Sequence, residues 1–156
     1  QIVRVVKAPT YLGLPTTFGD KINQYSVTAV SDAEVCFIAV HVFQNILSEN
    51  REFSKDIIIE LCQNELESFH RCANRTQKQI RGNMADALLE FSDKIFMSDT
   101  FTIPLTQAEL ANLVDTSRES VSRVLTEFDK DEIIKIKGKQ IEIVNKKSLK
   151  LISQNG

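Results

Sequence analysis

Apolar residues near the start of the chain come in short, closely spaced runs: Ile2-Val3-Arg4-Val5-Val6, Tyr25 to Val30 and Val35 to Val40. Gly13, Pro15, Gly19 and Asp32 separate them as turn signals, so the pattern predicts three short β-strands. Three such strands make only part of a sheet. Because the chain opens directly on one of them, an earlier portion of a barrel is expected to be missing.

From Phe53 to Ile80 there is no Gly or Pro, and Cys62, Leu66, Phe69, Ala73, Thr76 and Ile80 alternate by four and three. This spacing predicts a long helix with a narrow seam. Gln63, Asn64, Glu67, Arg71, Arg75 and Lys78 occupy much of the remaining surface, and a stripe that narrow suits pairing with a second copy of itself. The alternative is an ordinary helix packed on its own sheet, the role expected of Ile57, Ile58 and Leu61. Gly82 breaks the pattern. Met84, Ala85, Leu88, Leu89, Phe91 and Phe96 then begin a more broadly apolar helix that ends in the polar turn Ser98-Asp99-Thr100. Glycine inside a helical run costs about 1 kcal/mol relative to alanine, so Arg81-Gly82 is expected to be a hinge. The expected organisation is a β-barrel remnant over 1–52, a dimerisation helix over 53–81 and a further domain over 82–156.

That last domain carries the most specific pattern. Leu105-Thr106-Gln107-Ala108-Glu109-Leu110 is a complete helix start, with Thr106 as N-cap, Glu109 as its capping-box partner, and Leu105 and Leu110 as a hydrophobic staple. Leu110, Ala111, Leu113 and Val114 share one side, and Asp115 stands where a left-handed residue would close the helix. Ser117 is placed to cap the next helix, with Glu119 in its first turn. There Val121, Val124, Leu125 and Phe128 form a core stripe, and Arg118, Glu119, Ser122 and Arg123 fall together on the opposite side. Two short helices joined by a three-residue turn, the second offering these side chains near its start, meet the needs of major-groove reading. Arginine donates two hydrogen bonds to guanine O6 and N7, and glutamate accepts from cytosine N4, so Glu119 and Arg123 suit one G·C step.

Ile133-Ile134-Lys135-Ile136, the Lys137-Gly138-Lys139 turn, and Gln140-Ile141-Glu142-Ile143-Val144 then predict a two-stranded wing. Thr106, Gln107, Ser117, Lys137 and Lys139 are the expected phosphate contacts.

The chain has 156 residues and a formal net charge of −2, with ten basic and twelve acidic residues before Ser98 and nine of each from Ser98 onward. Neither part is basic overall, so DNA binding must rest on where charges sit, and Lys135, Lys137 and Lys139 cluster on the wing. Cys36, Cys62 and Cys72 are odd in number and lack metal-site spacing, so neither a disulfide framework nor a zinc site is expected. No long apolar run or signal peptide is present, and a cytoplasmic location is expected. The sequence shows no nucleophile motif, H-E-x-x-H or phosphate-cradling glycine loop, and an enzyme is not expected.

These residues resemble the CRP/FNR superfamily of bacterial transcription regulators over nearly the whole chain, most specifically at Ser117-Arg118-Glu119-Ser120-Val121-Ser122-Arg123-Val124-Leu125. The resemblance implies an α+β fold: a partial cyclic-nucleotide-binding-type barrel, a long dimerisation helix and a C-terminal winged helix-turn-helix. In the cyclic-AMP-responsive branch the base readers match Arg118, Glu119 and Arg123; in the oxygen-responsive branch they match Glu119, Ser122 and Arg123. The implied partners are double-stranded DNA with a T-G-A type half-site, a second copy of the chain, and RNA polymerase. Family members that bind cyclic nucleotide use a Gly-Glu pair and an Arg-Ser pair, and the corresponding positions here are Gly13-Leu14 and Tyr25-Ser26. Without the two charged ligands the ribose and phosphate would lose partners at a cost of about a few kcal/mol, so cyclic AMP is not expected as effector. His41 and His70 lack a haem-ligating motif, the cysteine group of the oxygen-responsive branch is not visible, and no effector site or cofactor is assigned. The competing reading is a nucleotide-barrel regulatory module that binds a protein partner without DNA; it leaves the helix-turn-helix and wing unexplained.

Overall fold

The computed structural model describes residues 1–19 and 22–156, with the side chains of Arg75 and Thr76 outside the description. Its elements are α1 (Leu14–Phe18), α2 (Val40–Glu49), α3 (Arg51–Gln77), α4 (Ile80–Glu90), a π-helical segment Phe91–Phe96, β1 (Thr100–Thr102), α5 (Gln107–Val114), α6 (Arg118–Lys130), β2 (Ile134–Lys137), β3 (Gln140–Ile143) and α7 (Lys146–Asn155). The chain divides into two compact units, Thr10–Cys72 and a second made of Gln1–Pro9 with Ala73–Gly156.

In the Thr10–Cys72 unit the core is small. Leu14, Phe43 and Ile57 are buried, and Tyr11, Leu47, Phe53 and Leu61 pack around them. Phe43 and Phe53 meet edge to face with ring centres 5.8 Å apart, an arrangement that aligns the edge of one ring with the face of the other. The Tyr25 hydroxyl accepts the Gly13 backbone N–H at 3.1 Å.

The segments at 2–6, 25–30 and 35–40 do not form strands. An extended segment becomes a strand only when a neighbour supplies the hydrogen-bond ladder, and among the described residues none of the three is paired with another. Val40 instead begins α2, which hydrophobic alternation did not reveal. The apolar side chains of these segments are largely exposed, Phe37 at 98%.

The other unit is built around one continuous core that includes Met84, Leu88, Phe91, Phe101, Leu110, Val121, Phe128, Ile134, Ile141 and Leu149. Side chains of this size each stabilise by about 1.5–3 kcal/mol when fully buried. The sheet has the order β1-β3-β2, both pairs antiparallel, with Lys137 opposite Gln140 across a two-residue turn. Gly138 adopts φ 64° there, a left-handed conformation that glycine enters without a Cβ penalty. Of the expected polar turn Ser98-Asp99-Thr100 only Thr100 enters β1; pairing of Phe101 with Ile141 buries Phe101 in the sheet. Gln1–Pro9 joins this unit through Val5, packed on the core, and the Ile2 N–H to the Asn112 carbonyl.

The helical break also lies elsewhere than expected. α3 ends at Gln77 and Gln79 is the extended N-cap of α4, so Gly82 sits inside α4 and is buried. Its missing side chain admits Gly156 at the end of α7. Ile80, expected in the apolar seam, is the first residue of α4 and packs against the core of this unit.

Candidate nucleic-acid interface

Two local signals place the helix-turn-helix. The Thr106 hydroxyl accepts the Glu109 N–H at 3.2 Å while the Glu109 carboxylate accepts the Thr106 N–H at 2.7 Å, which closes the capping box. These bonds, together with the Thr106 hydroxyl donating to the same carboxylate, hold Glu109 below the usual carboxylate range. α5 then stops at Asp115, in the left-handed conformation at φ 58°, and Ser117 caps α6 by accepting the Ser120 N–H at 3.1 Å. Capping at both ends of so short a turn fixes the angle at which α6 leaves α5.

On α6 the expected division of faces is present: Val121, Val124, Leu125 and Phe128 are buried, whereas Arg118, Glu119, Ser122 and Arg123 are exposed. Gln107 of α5 joins those four residues in lining an open concave face. Thr126, Glu127 and Lys130 extend it along α6. The Glu119 carboxyl is held below its usual range, first by its own backbone N–H and then by the Ser117 hydroxyl.

The candidate phosphate contacts Thr106, Gln107, Ser117, Lys137 and Lys139 are all exposed or partly exposed. The Lys139 carbonyl accepts the Ile103 N–H at 3.0 Å, and its ammonium group favours the ionised form of Glu109 in the first turn of α5. Lys135 lies opposite Glu142 on the hairpin.

On α3, Cys62, Leu66 and Phe69 are exposed and Ala73 is partly exposed; the side chain of Thr76 lies outside the described residues. Leu66 and Phe69 keep 59% and 69% of their surface in solvent. Unless a further surface covers it, such apolar area in a regular helix is costly.

Two ionic features of this unit are not signalled by local sequence. Arg81 donates to Glu127 at 3.1 Å and to Asp131 at 2.6 Å. The spacing Arg123, Glu127, Asp131 marks a charged ridge on α6, but nothing local announces its partner 46 residues before Glu127. A second ionic cluster ties the π-helical segment, the residue before β1 and the start of α7: Lys146 bonds Asp93 at 2.6 Å, Asp99 at 2.5 Å and the buried Ser92 hydroxyl at 3.0 Å.

Among the described residues no group of three His, Cys, Asp or Glu side chains is arranged to hold a metal ion, and no helix is long and apolar enough to cross a membrane.

Residues 83–152 match the Crp-like helix-turn-helix domain. The chain is 27% identical over 123 residues to the probable transcriptional regulator flp of Lacticaseibacillus casei, covering 79% of this chain and 55% of that protein. It is 23% identical over 150 residues to the fumarate and nitrate reduction regulatory protein of Vibrio cholerae, covering 93% and 59%. Thus the chain spans somewhat over half the length of these relatives. A solved CRP/FNR-family regulator of Thermus thermophilus is similar with a TM-score of 0.59 at 26% identity, over 67% of this chain and 55% of that one. FixK2 of Bradyrhizobium japonicum shares the fold, with a TM-score of 0.70 at 15% identity over 74% and 59%.

Proposed function

The chain is a relative of the CRP/FNR transcription regulators and carries their Crp-like helix-turn-helix domain, and on that premise we propose that it is part of a sequence-specific DNA-binding regulator acting as a homodimer. The observation that carries this reading is the exposed set Arg118, Glu119, Ser122 and Arg123, on the first two turns of α6 and opposed to a buried stripe. A helix presented in this way enters the major groove by its N-terminal turns. Glu119 accepts from cytosine N4 and Arg123 donates to guanine O6 and N7 of one G·C pair, within a T-G-A type half-site.

Wing lysines and the start of α5 hold the phosphates on either side, which positions the helix without reading sequence. The exposed seam of α3 supports pairing with a second copy, and two-fold symmetry calls for a palindromic operator whose half-sites lie roughly 34 Å apart. RNA polymerase is the further partner, and the cytoplasm the compartment, that such a regulator requires. The dimerisation helix of such a regulator is α3 (Arg51–Gln77), and its DNA-binding part runs from the start of α4 at Ile80 onward.

The test is a binding titration of the full chain on a duplex selected from a random pool. Arg123→Ala is expected to cost ~1–3 kcal/mol and to relax preference at that G·C pair. Equal affinity of variant and parent for the selected site defeats the assignment. A protein-binding module without DNA would show no steep salt dependence on random duplex.

A further inference from the structure

The carboxylate of Glu127 stands between two arginines. Its Oε2 accepts from Nη1 of Arg81 at 3.1 Å, and its Oε1 lies 3.9 Å from Nε of Arg123 one turn earlier on α6. The two contacts differ in kind. Arg81 is fixed: its other amino group donates to Asp131 at 2.6 Å, and its guanidinium carbon stands 5.1 Å from the centre of the fully buried Phe128 ring. Arg123 is loose, with 67% of its side chain exposed against 43% for Glu127.

A carboxylate that attracts an arginine from its Nε side, without a hydrogen bond, leaves the four hydrogens on the arginine's two terminal amino groups available for bonding elsewhere. Those are the groups that reach guanine O6 and N7 together. A carboxylate on a DNA-facing helix also repels phosphates, and the fixed charge of Arg81 offsets part of that repulsion while keeping the carboxylate in place.

We propose that Glu127 is a positioning and specificity-determining residue of the reading face: anchored by Arg81, it orients Arg123 by charge attraction from its Nε side and disfavours indiscriminate phosphate binding there. This rests on Arg123 as a base reader. Through Arg81, the second residue of α4, the orientation of Arg123 is tied to the element that begins at the Gln79 break.

The test uses the full chain and two duplexes, the selected operator and one with the G·C pair assigned to Arg123 changed to A·T. For Glu127→Gln the ratio of the two affinities is expected to fall by about threefold or more, while affinity for random duplex rises as one negative charge is removed. In an Arg123→Ala background the same substitution is expected to leave the ratio where it was. An unchanged ratio in Glu127→Gln, with Arg123→Ala still losing it, overturns the inference; so does an equal fall in both backgrounds. If Arg123→Ala itself keeps the ratio, the base-reader assignment fails instead. Glutamine can still accept from Arg81, so the fold is expected to survive. Glu127→Asp, which keeps the charge but shortens the arm, gives a second reading of the same ratio and is also expected to lower it.

Discussion

Gly82 and Gly156 meet backbone to backbone: a Cβ placed on Gly82 would stand 2.8 Å from the carbonyl carbon and oxygen of Gly156. Alanine is normally the better helix former by about 1 kcal/mol. Here the sign is expected to reverse, because the obstacle is backbone and the end of α7 must move to admit a methyl group. Gly82→Ala is predicted to lower stability by roughly 1–3 kcal/mol, the usual cost of overpacking. Thermal unfolding checks this, and a raised melting temperature refutes it.

Acid should loosen the Lys146 cluster. The bond from Lys146, then the bond from Ser92, holds the Asp99 carboxyl below its ordinary range. A carboxylate with a depressed folded pKa contributes stability that is present above its unfolded value, about 3.9, and lost as the pH falls through the lower folded value. Lys146 is raised, by Asp93 first and Asp99 second; its contribution is present below about 10.4 and lost as the pH rises through the folded value. Asp99→Asn is therefore predicted to melt earlier than the parent near neutral pH, with the gap closing as the pH falls below about 4. A gap that is constant across the acid range contradicts the assignment.

The two wing-tip lysines should act on DNA of any sequence. Lys137→Ala and Lys139→Ala are each predicted to weaken binding to selected and random duplexes alike, and to reduce the slope of log affinity against log salt by about one. Filter binding across a salt series measures both quantities. Loss confined to the selected site would place these residues among the base readers.

Phe69 should matter to assembly and little to the monomer fold, since 69% of its surface is in solvent. Phe69→Glu is predicted to raise the dimer dissociation constant by about tenfold or more, equivalent to roughly 1.4 kcal/mol, in sedimentation equilibrium. A parent chain that is monomeric at every concentration, or a variant that dimerises as well as the parent, removes α3 as the pairing surface.

How much was legible in the sequence depended on how local each signal was. The capping box of Thr106 and Glu109, the left-handed Asp115, the Ser117 cap and the core stripe of Val121, Val124, Leu125 and Phe128 all involve partners within a turn or two. Such contacts are written in spacing, and the structure holds them as spaced. By contrast, Val27-Thr28-Ala29-Val30 reads as a strand from composition, yet a strand exists only with a partner, and that partner is not encoded locally.

The hinge shows the same division from another side. A glycine inside a helical run has two explanations, backbone freedom or close approach, and periodicity cannot separate them. The approach of Gly156, far along the chain, gives Gly82 its reason to be small, while the break itself falls at Gln79.

The sequence by itself determined the two helices of the helix-turn-helix, their caps, the wing and the four side chains exposed together at the start of α6, because each depends on 3.6-residue or two-residue periodicity and short-range hydrogen bonds. Only the tertiary structure decided which distant segments meet. The grip of Arg81 on Glu127 and Asp131, the Lys146 cluster and the pairing of β1 with β3 join residues that are distant in the chain, and the free energy of such contacts depends on chain closure that no local pattern records.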